Sequence, residues 1–202
     1  MWVRRRCAAS AKRVAGRDCT DRVLASGPAT MDAAGAMLMR IIPAIAADLP
    51  AVGRLADEIW REYYPGIVPL AQIDYMLERG YSVEALGKFI RDEGAGLALL
   101  MAGDSPVGFA AWHRFGEPAT TKLDKLYLHA SVRGRGAGRM LIEHVEREAR
   151  RDGSRKLTLR VNKDNAKSIA AYRACGLAVV RHDAVDIGSG FVMDDFIMEK
   201  TL

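Results

Sequence analysis

Cysteine is scarce: Cys7, Cys19 and Cys175 are the three in 202 residues. An odd number, widely spaced and without a Cys-x-x-Cys pair, argues against a disulfide framework and suits reduced thiols in a cytoplasm. The four histidines lack His-Glu-x-x-His spacing, so no metal site is expected. No apolar run approaches the roughly 20 residues that a membrane-spanning helix needs. No Arg-flanked apolar core follows Arg4 to Arg6, which speaks against a secretory signal. Internal repeats are also lacking.

The charge is neither large nor evenly spread. The net value is +5, and residues 1–30 hold all of it: Arg4, Arg5, Arg6, Lys12, Arg13, Arg17 and Arg22 stand against Asp18 and Asp21. The remainder is neutral and has no bulk excess with which to bind nucleic acid. Half of the residues are hydrophobic, enough for the core of one domain of this length. Residues 1–38 are rich in Ala, Arg and Gly with few large apolar side chains. They are expected to be a disordered extension or a start assigned too early, with Met31, Met37 and Met39 as alternative starts. The domain is expected to run from 39 to 202.

Local signals lay out that domain. Met39 to Ala44 reads as a short strand, and Asp48 as the N-cap of a helix through about Tyr63. Tyr64-Pro65-Gly66 breaks the helix. Residues 70–79 and 83–92 read as helices, the second capped by Ser82. Gly96 to Met101 and Pro106 to Phe115 read as a hairpin, and Thr121 to His129 as a further strand. A long helix ends near Asp152, with Leu141, Val145 and Ala149 as its apolar stripe. Lys156 to Val161 is a strand with Leu157, Leu159 and Val161 on one face, 165–174 a helix, and two strands flank Gly188-Ser189-Gly190. The order predicts an α/β fold with a mixed, mainly antiparallel sheet of about six or seven strands flanked by helices.

The most informative segment is Arg133-Gly134-Arg135-Gly136-Ala137-Gly138, a turn that joins a strand to a helix. Glycines let backbone N–H groups approach a ligand, and a helix N-terminus carries about half a positive charge. Such a turn binds phosphate, with Arg133, Arg135 and Arg139 able to add charge-assisted contacts. It is not a Walker loop, because Arg139-Met140 follows Gly138. It is not a dinucleotide fingerprint either, because no glycine falls at the sixth position.

Downstream stand Asn165, Tyr172 and Cys175-Gly176-Leu177, with Asn165 and Tyr172 two helical turns apart. This Asn…Tyr…Gly block, one helix and one strand after the phosphate turn, resembles the GNAT N-acetyltransferase superfamily over roughly residues 39–202. Leu177 stands where that family usually has Phe, and a small packing change is expected. The segments at 72–77, 81–86 and 191–200 are similar to the PaiA-type branch, which is associated with polyamine acetylation.

The resemblance implies acetyl-CoA as co-substrate, no metal, and direct transfer to a primary amine in a ternary complex. It implies a fourth strand splayed from the fifth, with the exposed backbone of Leu126, Tyr127 and Leu128 pairing with pantetheine. Gly134, Gly136, Ala137, Gly138 and the three arginines would hold pyrophosphate, and Asn165 would help to bind the cofactor. Tyr172 would assist the leaving thiolate. A base is useful because deprotonating a lysine-like ammonium at pH 7 costs about 4.6 kcal/mol. Asp124 is the candidate, with His129 working through water as a weaker one. Glu62, Asp74, Glu78, Glu84, Asp194 and Asp195 are expected to line the acceptor side for a polycation. The implied acceptor is a small amine; the alternatives are a protein lysine or N-terminus, or a non-catalytic CoA sensor. A homodimer is compatible with the resemblance.

Overall fold

The structure is a computed structural model that describes residues 38–116 and 119–202. The extension expected over 1–38 lies outside the described residues except for Leu38. The strands are β1 (Met39–Pro43), β2 (Gly96–Ala102), β3 (Ser105–Arg114), β4 (Thr120–Leu128), β5 (Lys156–Asn162), β6 (Ala178–Gly188) and β7 (Phe191–Thr201). The helices are α1 (Leu49–Tyr63), α2 (Leu70–Gly80), α3 (Val83–Arg91), α4 (Ala137–Arg151) and α5 (Ala166–Ala174). They form one sheet in the order β1-β2-β3-β4-β5-β7-β6. Every neighbouring pair is antiparallel except β4–β5. The expected mixed, mainly antiparallel α/β architecture is therefore present.

The sheet is covered on both faces, so β2 carries an unbroken apolar run rather than an alternating one. Leu97, Leu99 and Met101 pack under α1 to α3 with Phe109, Ala111, Trp60 and Ile73. Ala98 and Leu100 face the other way, onto Leu141, Ile142 and Val145 of α4. The stripe expected on α4 is fully buried, and Leu177 closes the same core in place of a larger ring. β6 lies at the sheet edge and carries Arg181, His182, Asp183 and Asp186, charges that blunt an exposed strand.

Most element ends fall within two residues of expectation, because the caps are local. Ser82 accepts the Ala85 N–H and Asn165 accepts the Ser168 N–H. Asp48 is a correction: it precedes α1, but its carboxylate turns back to the Ile45 N–H at 2.9 Å and does not cap the helix. It stabilises instead the 3-10 turn that leads in, while Pro50 in the first turn of α1 makes a side-chain cap less necessary.

One glycine controls how closely β3 and β4 approach near the site. A Cβ on Gly108 would lie 2.8 Å from the Tyr127 carbonyl oxygen and 2.8 Å from a Leu128 methyl. Gly108→Ala is therefore expected to cost about 1–3 kcal/mol, as overpacking does. It should also displace the end of β4. A urea melt measures the first effect and acetyl-CoA calorimetry the second.

Candidate active site

β4 pairs with β5 only from Thr120↔Lys156 to Leu123↔Leu159. At the next residue the β3–β4 register slips: Ala111 opposes Lys125 and Trp112 opposes Leu123, which leaves Asp124 as a bulge. A bulge bends its strand and shifts the phase of its side chains. Both effects are visible. Leu123, Leu126 and Leu128 all face the α4 core, while Tyr127 faces α1. β4 meanwhile leaves β5, which continues along β7 to Asn162. The edge of β4 that faces β5 from Asp124 to Leu128 has no strand partner among the described residues.

This split holds two cavities that meet. One, of about 470 Å³, lies at the start of α4; the other, of about 270 Å³, lies across the sheet under α1 and α2. Tyr64, Leu126, Tyr127, Ser168 and Tyr172 line both.

The first cavity opens onto the turn expected to bind phosphate. Gly134 and Gly136 have φ of +74° and +80°, where a side chain would be strained. Gly136 is the N-cap of α4 and no side chain caps the helix, so the N–H groups of the first turn face the cavity unclaimed by a cap. Gly134, Gly136, Ala137, Gly138 and Arg139 line it, as do Leu126, Tyr127 and Leu128. These groups fit acetyl-CoA: a phosphate-binding turn at one end, an open strand edge at the other.

Two expected cofactor residues lie elsewhere. Arg135 is exposed on the turn and does not line the cavity. Asn165 is buried, and its side-chain oxygen accepts from Ser168 N–H and from the Tyr63 hydroxyl at 3.0 Å; it borders the second cavity. Arg133 does line the first cavity, but its guanidinium donates to the Leu128 carbonyl and grips Glu62 through two bonds. It acts as a brace between the end of β4 and α1. Lys167 and Tyr63 line this cavity and were not expected to. The Tyr63-Tyr64 pair just before the helix break was the sequence signal for the second of them.

The second cavity is aromatic and apolar over most of its wall, including Trp60, Tyr64, Met76, Tyr81, Tyr127 and Met193. Hydrogen bonds close it: Tyr81 and Tyr127 share a 2.6 Å hydroxyl contact, and burial pushes both phenols up. Gln72 of α2 donates to the Val192 carbonyl, and Tyr75 donates to that of Ile187. The sequence segments 72–77 and 191–200 thus form one wall together.

The lining charges are Lys122, Lys125 and Arg160 against Asp124 and Asp195. Of the six acids expected here, only Asp195 arrives. Glu62 serves Arg133, Asp74 pairs with Arg61 at 2.8 Å, and Asp194 binds Lys163 and His182. Glu78 and Glu84 do not line the cavity. His129 is also committed elsewhere, with Nδ1 on Ser131 and Nε2 3.1 Å from Glu58, and it lines neither cavity.

Asp124 is held by its sequence neighbours, 2.7 Å from Lys122 and 3.2 Å from Lys125. Burial works to raise its carboxyl, but the two ammonium groups outweigh burial and hold it at about 2. That makes Asp124 a weak base and a strong electrostatic anchor for the bulge. Tyr172 stands where the cavities meet; burial, then Tyr63 and Cys175, push its phenol above the usual range. It therefore stays protonated at any working pH. The described residues contain no cluster of metal-ligating side chains and no helix long and apolar enough to cross a membrane.

This site belongs to a known family. Residues 54–177 match the model of the acetyltransferase (GNAT) family, more than half of the chain, and the protein is a member of it. A curated relative, the peptidyl-lysine N-acetyltransferase YjaB of Salmonella typhimurium, is 35% identical over 83 residues, 41% of this chain and 50% of that protein. Streptothricin acetyltransferase of Streptomyces lavendulae is 33% identical over 78 residues, 39% of each chain. The chain thus matches half or less of the length of these curated relatives. Among solved structures, the PaiA N-acetyltransferase of Thermoplasma acidophilum, in complex with coenzyme A, has a TM-score of 0.70 at 23% identity. That match covers 82% of this chain and all of the other, and shows the common fold.

Asp124→Asn is expected to cost about 2 kcal/mol at pH 7, since the folded value of about 2 lies below the ordinary 3.8. A depressed carboxyl stabilises above its unfolded value and ceases to do so as pH falls through the folded one. The stability gap between wild type and variant should therefore close between about pH 4 and pH 2 in urea melts.

Proposed function

We propose that this protein is an acetyl-CoA-dependent N-acetyltransferase that transfers acetyl directly to a primary amine carrying one ammonium on an apolar stem. The observation that carries this reading is the meeting of the two cavities at Tyr64, Leu126, Tyr127, Ser168 and Tyr172. Direct transfer needs both substrates bound at once with the reacting atoms in contact. A phosphate-binding turn on one side of a split sheet and an aromatic chamber on the other meet that requirement.

Acetyl-CoA supplies the activated acyl thioester. The turn from Gly134 to Arg139 holds its pyrophosphate through backbone N–H groups and the α4 dipole. The unpaired edge of β4 offers N–H donors that stabilise negative charge on the thioester oxygen as the amine adds. Tyr172 donates a hydrogen bond to the departing thiolate. Moving a proton from an ordinary phenol to a thiolate is already uphill by about 2 kcal/mol, and burial makes it steeper. Tyr172 thus stabilises the thiolate without giving up its proton.

The choice of acceptor follows from the chamber. A polyamine would need one carboxylate for each ammonium it buries, and the lining carries more cations than anions. The segments similar to the PaiA branch support a polyamine, but the chamber's charge supports a monoamine. A lysine side chain has the same form, one ammonium on a methylene stem. The likeness to a protein described as a peptidyl-lysine N-acetyltransferase favours a lysine-bearing peptide as the second reading.

Thiol release from acetyl-CoA should be followed with an alkylamine, a lysine peptide and spermidine. Turnover with the alkylamine or the peptide is expected to exceed that with spermidine; preferred use of spermidine would restore the polycation reading. Tyr172→Phe should lower turnover roughly 10- to 1,000-fold at unchanged acetyl-CoA affinity. Gly138→Val should do the reverse, weakening acetyl-CoA in calorimetry with the fold intact. A Cβ there meets only a Leu128 methyl, at 3.5 Å, an ordinary van der Waals contact.

A further inference from the structure

We propose that Asp195 on β7 is the catalytic carboxylate of the acceptor chamber: its Oδ1 binds the incoming ammonium and takes its proton. The assignment rests on the acetyltransferase reading above. Asp195 is 2% exposed, yet Oδ1 has no hydrogen-bond partner among the described residues, and the residue lines the chamber. A buried carboxylate oxygen left unpaired costs stability that a fold with no use for it would not retain. An ammonium in the chamber supplies the missing partner.

The charges around Asp195 fit the same role. From β5, Arg160 Nε lies 3.4 Å from Oδ2, the other oxygen. Arg160 also donates to Asp183 of β6 at 2.6 Å, and Arg181 lies 3.8 Å from the same carboxylate, so the Arg160 charge is shared between Asp183 and Asp195. On β7, Asp194 is turned to Lys163 and His182. From β4, Asp124 is occupied by Lys122 and Lys125. Tyr172 of α5 and Tyr64 beyond α1 face the same space with uncharged phenols. Burial raises the Asp195 carboxyl above the ordinary range; Arg160 opposes this, and Asp194 and Asp183 add to it. Asp195 is accordingly the stronger base of the two chamber carboxylates.

The step balances as follows. The ammonium gives one proton to Asp195 Oδ1, which becomes a neutral carboxylic acid and later releases that proton to water. The freed nitrogen lone pair forms the C–N bond on the thioester carbon, and the carbonyl π pair moves onto oxygen. When that pair returns, the C–S bond breaks and the thiolate leaves. The second nitrogen proton goes to the thiolate, which yields the amide and free thiol.

The test is Asp195→Asn, assayed with acetyl-CoA and an alkylamine across pH 5.5 to 10. At pH 7, kcat/KM is expected to fall by about 10²–10⁴-fold. The deficit should shrink as pH approaches the amine's own pKa of about 10.4, where free amine no longer needs a base. Acetyl-CoA affinity by calorimetry should not change. The thermal midpoint should hold or rise, since Asn removes the buried charge on the partnerless Oδ1 and Arg160 keeps Asp183; a merely structural residue would lower it. Asp195→Glu should keep part of the activity and the wild-type shape of the pH profile, and it serves if the Asn variant does not fold. A folded Asn variant with wild-type kcat/KM and pH profile overturns the assignment and leaves the acetyltransferase reading standing. A wild type that binds acetyl-CoA but acetylates none of the three acceptors overturns both.

Discussion

Everything in the site depends on β4 leaving β5 after Leu123. A parallel pair that stayed in register would consume the backbone groups that a thioester substrate needs, and would fill the space between the cavities. The bulge at Asp124 prevents this by inserting one residue on the β3 side. It bends the strand, turns Leu126 and Leu128 to the α4 core, and turns Tyr127 to α1. Lys122 and Lys125 flank the bulge and hold its carboxylate from both sides. The register shift is held by an ion-paired side chain at the point where it occurs.

The split then sorts the ionisable groups by what surrounds them. At the α4 end, positive potential comes from the helix dipole with Arg139 and Lys167, while Arg133 is spent on bracing β4 to α1 through Glu62. Across the sheet, two carboxylates share one chamber with opposite environments. Asp124 has two ammonium neighbours and is held low; Asp195 has one shared guanidinium and is raised by burial. Carboxylates that differ this way divide the work, one fixing structure and the other free to exchange a proton.

The acids show why composition is a poor guide to a binding surface. Six of them were expected on the acceptor side, from their positions near the helices before the hairpin and near the C-terminus. Four of the six find no place there because a basic partner or another face claims them: Glu62 goes to Arg133, Asp74 to Arg61, Asp194 to Lys163 and His182, and Glu84 to the first turn of α3. Glu78 stays on α2 outside the lining. What is left is a chamber of aromatic rings with few anions.

The sequence alone determined the elements and the glycine turn before α4. Both are written in local chemistry: apolar residues at helical spacing on α4, Ser82 and Asn165 at helix starts, and glycines at 134 and 136 where φ is positive. Such features are settled by a few consecutive residues, so they can be read in order. The position of Tyr172 was legible for the same reason, because two helical turns fix a face. The tertiary structure decided the bulge, the bond from the Tyr63 hydroxyl to Asn165, and the isolation of Asp195. Each of these depends on what another strand or helix brings within reach from distant parts of the chain. Asp195 looks like its neighbour Asp194 in the sequence, but between β5 and β6 one is buried while the other is left to Lys163 and His182. Burial and pairing are set by long-range packing, and they, more than residue type, decide which carboxylate can accept a proton.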